Sequence, residues 1–171
     1  MYLIYNDLCA GIRGNYDLTT AQPLETGRDQ GHVQSSLAWT ATAAKVIQNQ
    51  GSGDLFGFGN NLLLRAAEYT AKFSLNYTVE YDPKLYRCEA VLVDGPWPAI
   101  STAKKGFSVP VWDILYYEYA VKRGMSAPYT TEAMAQYGFE GSLPRDAGYT
   151  SWGDLVWATS RKKRSFKWYS G

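Results

Sequence analysis

Apolar residues recur at helical spacing in the first half of the chain. Between residues 30 and 50 they step by three or four positions, which predicts one amphipathic helix. These apolar positions are Val33, Leu37, Ala41, Ala44 and Ile47. Asp29 can cap the start of this helix, and Gly51 can end it.

A second helix is predicted over residues 61–73. Leu62, Ala66, Tyr69 and Phe73 share one face of it, and Asn60 can cap its start. The Gly-rich link GSGDLFGFG joins it to the first helix. The two therefore predict a helical hairpin.

Residues 77–107 break this pattern. Pro83, Gly95, Pro96 and Pro98 exclude a long regular helix, while residues 89–93 suit a short strand or a buried turn. We expect a long, ordered loop, and such loops are often functional.

Helical signals return after this loop. Pro110 suits the first position of a helix that runs to Gly124, with an apolar face formed by Val111, Ile114, Tyr117 and Val121. Thr130 or Thr131 can cap a short helix to Tyr137, and Ser151 can cap a last helix with Trp152, Leu155 and Val156. About five helices and little sheet predict an all-α fold.

Composition narrows the class of protein. The chain has 171 residues, of which 46% are hydrophobic and 19% are charged, and these values predict one folded domain. We place this domain at residues 1–160 and a solvated basic tail, with the run Arg161 to Arg164, at residues 161–171. The net charge of +1 gives no basic field for a nucleic acid. No apolar stretch approaches the length of a membrane span.

Cysteine and aromatic residues bear on location and ligand. The two cysteines, Cys9 and Cys88, can pair in an oxidising compartment, although the first residues do not form a convincing signal peptide. The chain holds 14 Tyr and 6 Trp, and such rings can stack on sugars or pack in a core. Trp39, Trp97 and Trp112 can each form a sugar platform, but we expect core packing for each of them, with Trp97, in the Pro-rich loop, as the best exception.

The strip from Glu25 to His32 has the densest polar chemistry. It reads ETGRDQGH and contains the chain's only histidine, so any imidazole acid or base must be His32. Taken alone, a histidine at a helix start is more often a surface or capping residue. No spacing typical of metal ligands occurs, and no cofactor is expected.

The strip ETGRDQGHVQSSLAW, followed by NLLLRAAEYTAKFSLN, resembles the alginate lyase-like superfamily of secreted polysaccharide lyases. YDPKLYRCEAVLVDGPW, VPVWDILYYEYAVKRG and WGDLVWA extend the resemblance over roughly residues 15–159. It implies an incomplete (α/α) toroid of helical hairpins with long ordered loops, an extracellular protein, and β-elimination on a uronic-acid polysaccharide such as alginate or glucuronan. Because the family fold is usually longer, it also implies that a further part of the toroid precedes Met1.

The resemblance also implies roles for particular residues. His32 is expected to be the general base or to orient the substrate, and Arg28 and Gln30 to neighbour the substrate carboxylate. We prefer Tyr86 to Tyr81 as the acid.

Further residues receive supporting roles. Arg87 can supply a cation beside Tyr86 or bind a second carboxylate, while the alternative is that Tyr86 packs and that Arg87 pairs with Glu89 or Asp94. Glu25 is expected to position Arg28 by a charge-assisted bond. Trp97 can form a sugar platform.

Two other classes of protein remain open. The chain can be an inactive or truncated lyase-like protein that binds carbohydrate, or a helical-repeat interaction module. No internal repeat of constant period is visible, which makes the module the weakest of the three.

Overall fold

A computed structural model describes residues 2–85, 95–106, 109–137, 149 and 152–158. Helices and turns make up these residues, and no strand occurs among them apart from one isolated bridge between Tyr16 and Pro23. The helices are α1 Tyr2–Asn6, α2 Ile12–Asn15, α3 Gln30–Asn49, α4 Phe58–Ser74, α5 Trp112–Tyr116, α6 Pro128–Tyr137 and α7 Gly153–Val156. A 3₁₀ turn, Leu24–Gly27, precedes α3, and a π-helical segment, Tyr117–Lys122, follows α5. The all-α prediction is confirmed for the described residues.

The centre of the molecule is the predicted hairpin of α3 and α4. Alanines lie fully buried where the helices pack, among them Ala41 and Ala44 on α3 and Ala67 and Ala71 on α4. Such small side chains let the backbones approach closely, and larger residues such as Leu37 fill the space beside them. The apolar period of residues 30–50 therefore gives the correct buried face.

The start of α4 differs from the prediction. Gly59, Asn60 and Asn61 have left-handed φ values of 58°, 56° and 55°, so Asn60 does not act as a simple cap. Arg65 holds this turn, because its guanidinium donates to the carbonyl oxygens of Gly59, Asn60, Thr19 and Leu18 at 2.9–3.3 Å.

The predicted helix over residues 110–124 is present in a different form. It begins at Trp112 rather than at Pro110, and changes to π geometry after Tyr116. Gly124, with φ 64°, follows its end as expected.

A buried ion network accompanies the π-helical segment. The side chain of Glu118 is 2% exposed and accepts hydrogen bonds from Arg123, Lys122 and Gln48. Arg123 also forms two bonds with Asp54, at 2.6 and 3.0 Å. Burial raises the pKa of Glu118, but the hydrogen bonds from Arg123, Gln48 and Lys122 outweigh it and hold this pKa below its usual value.

Helix α6 begins at Pro128, and the prediction of a cap at Thr130 or Thr131 is wrong. Glu68 of α4 supplies the missing acceptor, because its carboxylate accepts from the backbone N–H groups of Tyr129 and Thr130 at 3.0 and 2.8 Å. Proline suits a first helical position, since it has no N–H to satisfy.

The apolar pattern of the sequence did not predict α1 and α2, which are short helices beside the start of α3. Cys9 lies between them and is disulfide-bonded; the chain's other cysteine, Cys88, is outside the described residues. In the described part of the chain, no helix is both long and apolar enough to cross a membrane.

Several predictions fall outside the described residues: the short strand or buried turn at 89–93, the cap at Ser151 and the tail at 161–171. The predicted last helix is a single turn, Gly153–Val156. Trp152 precedes it with φ 62°, and Leu155 and Val156 are exposed.

Candidate functional site

The strip from Glu25 to His32 folds as a 3₁₀ turn followed directly by the start of α3. Asp29 has an extended backbone and caps the helix, because its Oδ1 accepts from the His32 N–H at 2.9 Å. Its second oxygen, Oδ2, lies 2.5 Å from Nδ1 of the His32 ring. One carboxylate therefore fixes both the helix start and the imidazole.

The contact with Asp29 sets the tautomer of the neutral His32 ring. When His32 is neutral, the bond from Nδ1–H to the carboxylate leaves the lone pair on Nε2, and the ring is 39% exposed. Burial raises the pKa of Asp29, but the bonds from the His32 backbone and ring, with the charges of His32 and Lys104, hold it below its usual value. Lys104 Nζ lies 3.7 Å from Oδ2 of Asp29.

Glu25 and Arg28 form the expected ion pair. Oε2 of Glu25 accepts from Nη1 of Arg28 at 3.4 Å, so the predicted contact between these two residues is confirmed. Arg28 is the more exposed partner, with 33% of its side chain accessible against 15% for Glu25.

Gln30 is buried, and its side chain donates hydrogen bonds to backbone carbonyl groups. Its Nε2 donates to the carbonyl oxygens of Thr26 and Ser101 at 3.3 and 2.9 Å, while its own N–H donates to Ala103 O at 2.9 Å. Gln30 thereby joins residues 101–103 to the strip. The geometry gives no support to its predicted contact with the substrate carboxylate.

Tyr81 and Trp97 bring two parts of the predicted loop against the strip. The Tyr81 hydroxyl donates to the Trp97 carbonyl at 2.7 Å, and both side chains lie so close to Gly27 that no Cβ would fit there. Burial, with the charge of Asp82, raises the pKa of Tyr81. Both residues are half-buried.

A cleft of about 480 Å³ lies between α3 and the α1–α2 region. Glu25, His32 and Trp39 line it, together with Ile4, Cys9, Ala10, Asn15, Ser36, Thr40 and Ala43. Ser36 and Thr40 are bonded to the hydroxyl of the buried Tyr16 at 3.3 and 3.1 Å. Arg28 does not line the cleft, but is bonded to Glu25, which does.

Trp39 differs most from the sequence interpretation, in which a sugar platform is the weaker alternative to core packing. The prediction of core packing is wrong for this residue, because it is 59% exposed, whereas it is right for Trp112, which is fully buried. Trp39 stacks on Tyr149 with ring centroids 6.0 Å apart and planes at 10°. The Tyr149 hydroxyl is bonded to Ser35 Oγ at 2.5 Å.

Two further predicted site residues, Tyr86 and Arg87, lie outside the described residues. In the part of the chain that the structure describes, no group of three or more His, Cys, Asp or Glu side chains is placed to hold a metal ion.

Comparisons with known proteins give no relative. No family model matches the chain, and neither a curated protein nor a solved structure does. We therefore infer function from the geometry of the site and from the resemblance of the quoted motifs.

Proposed function

We propose that this chain is a polysaccharide lyase that cleaves a uronic-acid polysaccharide, of the alginate or glucuronan type, by β-elimination. The observation that carries the proposal is the Asp29–His32 pair at the wall of the 480 Å³ cleft. A carboxylate on Nδ1 sets the tautomer with the lone pair on Nε2 and stabilises the imidazolium that forms when this nitrogen takes a proton.

The reaction then needs few groups. His32 Nε2 removes the proton on the carbon beside the uronate carboxylate, the electron pair forms a carbon–carbon double bond, and the glycosidic carbon–oxygen bond breaks. An acid returns a proton to the leaving oxygen, and on the resemblance we assign this acid to Tyr86, beside Arg87. A cation on the carboxylate stabilises the enolate-like intermediate.

Arg28 is the described residue best suited to be that cation. Its guanidinium is partly exposed and is held at 3.4 Å by Glu25, which lines the cleft. A planar guanidinium can bind a carboxylate through two parallel hydrogen bonds. Glu25 thus positions Arg28, and Tyr81 and Trp97 hold the loop against the same strip.

The toroid fold and the extracellular location are part of the same proposal. The hairpin of α3 and α4 suits an incomplete (α/α) toroid of which this chain forms a part, and the disulfide-bonded Cys9 suits an extracellular protein.

A second candidate is a carbohydrate-binding protein without lyase activity. It is favoured by one observation: among the described residues that line the cleft there is no Arg or Lys, although an exposed tryptophan is present. Such a cleft can hold a sugar chain by stacking alone.

Incubation with alginate, glucuronan and other polyuronates separates the two candidates. A lyase produces an unsaturated sugar, which absorbs in the ultraviolet, whereas a binding protein retains the polymer without any change in absorbance. His32→Ala should lower the rate by about 10²–10⁴-fold, and Val46→Ala, at an exposed position on the same helix outside the cleft, should leave it unchanged. No absorbance change with any polyuronate would overturn the lyase proposal.

A further inference from the structure

Trp39 occupies a position that packing within the chain does not explain. An indole ring is a large apolar surface that folding normally buries, yet this one is 59% exposed on the wall of the cleft. Trp112, by comparison, is fully buried in the core. Exposure of Trp39 therefore leaves an apolar surface for a ligand.

Tyr149 holds the Trp39 ring in a defined orientation. The two rings are nearly parallel, with planes at 10° and centroids 6.0 Å apart. Tyr149 is itself held by Ser35, whose Oγ is bonded to the Tyr149 hydroxyl and to the Gly31 carbonyl at 2.7 Å. Because Trp39 is 59% exposed even with Tyr149 beside it, and lines the cleft, apolar surface of this residue remains accessible to a ligand.

Trp39 also has a definite relation to His32. Both residues line the same cleft and stand on α3 seven positions apart, which corresponds to about 10 Å along the helix axis. Two linked pyranose rings span a comparable length. Ser36 stands between them on the same wall, and its hydroxyl, which contacts the Tyr16 hydroxyl at 3.3 Å, has further capacity to bond to a sugar hydroxyl.

We propose that Trp39, supported by Tyr149, is a sugar-stacking subsite that binds a pyranose ring about two sugars away from the bond at His32. This inference rests on the proposed function for the substrate class, while the subsite itself depends on the exposed ring and its cleft. Stacking uses the apolar face of a sugar and not its charge, so this contact should persist at high salt, where contacts to the uronate carboxylates weaken.

The test compares Trp39→Ala, Trp39→Phe and the control Val46→Ala in two separate measurements. Binding of uronate dimers and of longer oligosaccharides is measured by calorimetry at low and high salt with His32→Ala present in every protein, so that the ligand is not cleaved. Lyase rates are measured by ultraviolet absorbance with His32 intact. Circular dichroism and urea unfolding establish that each variant is folded.

We expect Trp39→Ala to weaken the binding of oligosaccharides of four or more sugars about tenfold, at both salt concentrations, with a much smaller effect on dimers. Trp39→Phe should recover much of this loss, because it restores an aromatic face. In the lyase assay, Trp39→Ala should raise KM more than it lowers kcat, because the subsite is remote from the bond that breaks.

The outcomes separate the subsite from the proposed function. Product formation with unchanged oligosaccharide affinity in Trp39→Ala would overturn the subsite and leave the lyase standing. Trp39-dependent binding without product from any polyuronate would support the subsite and overturn the lyase. An equal loss of affinity for dimers and longer chains would also contradict the subsite at the proposed distance.

Discussion

Oδ2 of Asp29 lies 2.5 Å from Nδ1 of His32, while Oδ1 of the same carboxylate caps the helix on which His32 stands. The two roles can be separated by substitution. An asparagine caps a helix nearly as well as an aspartate, but carries no charge to stabilise an imidazolium.

The first prediction follows from this relationship. Asp29→Asn should lower the lyase rate at least tenfold and change the free energy of unfolding little, whereas Asp29→Ala should lower the rate and also cost about 1 kcal/mol of stability. Product absorbance and urea unfolding measure the two effects. An Asp29→Asn variant with the wild-type rate would exclude the carboxylate from the mechanism.

Much of α3 could be predicted from the sequence because its determinants are local. The apolar period gives the buried face, and Asp29 caps its own helix. The same pattern indicates that Trp39 is exposed, because it lies two residues after Leu37 and thus nearly opposite the buried face. Attention to residue type alone led to the wrong expectation of core packing.

Features set by distant contacts could not be predicted. The left-handed start of α4 is held by bonds from Arg65 to Leu18 and Thr19, and α6 is capped by Glu68, about sixty positions earlier. Helices as short as α1 and α2 carry no measurable apolar period. Since these helices form one wall of the cleft, the cleft itself was also not predictable.

The second prediction concerns the pH dependence of stability. Burial, with the charge of Asp154, raises the pKa of Asp113 to about 6 from 3.8. Between about pH 4 and pH 6 the folded chain therefore binds more protons at this site than the unfolded chain, and stability falls as the pH rises through this window.

Replacement of Asp113 by Asn removes this titration. The free energy of unfolding of Asp113→Asn relative to wild type should rise by about 2 to 3 kcal/mol between pH 4 and pH 7, as measured by urea unfolding at each pH. Asp7 is the control, because its pKa shifts in the opposite direction. Bonds from the backbone N–H groups of Ala10 and Cys9 lower this pKa. Parallel curves for wild type and Asp113→Asn would contradict the prediction.

The third prediction concerns the ion network of Glu118 and Arg123. Removal of the guanidinium in Arg123→Ala leaves the carboxylate of Glu118, 2% exposed, without a main partner at 2.9 Å. Lys122 and Gln48 still bond to this carboxylate in the variant, so the expected cost is that of a lost hydrogen bond to a charged group, about 1.5–3 kcal/mol. We expect a loss of this size in urea unfolding, and a smaller loss in the double variant Glu118→Gln/Arg123→Ala than the sum of the single losses. Strict additivity of the two losses would show that the residues are not coupled.

The fourth prediction tests the contact between the strip and the loop at Gly27. A Cβ at this position would overlap Cβ of Trp97 and the Tyr81 hydroxyl. Because the Trp97 Cβ is fixed to the backbone, a change of rotamer cannot relieve the overlap, and the loop must move away from the strip. Gly27→Ala should therefore cost about 1–3 kcal/mol and should lower lyase activity as well.

Gly106→Ala is the matched control for this substitution. Among the described residues, no atom lies within 4 Å of a Cβ built at Gly106, so the stability and activity of Gly106→Ala should equal those of the wild type or slightly exceed them. A Gly27→Ala protein with the unfolding midpoint and rate of Gly106→Ala would mean that the loop does not pack on the strip in solution. A lower rate in Gly27→Ala at unchanged stability would instead show that the contact of Tyr81 and Trp97 with the strip matters for catalysis alone.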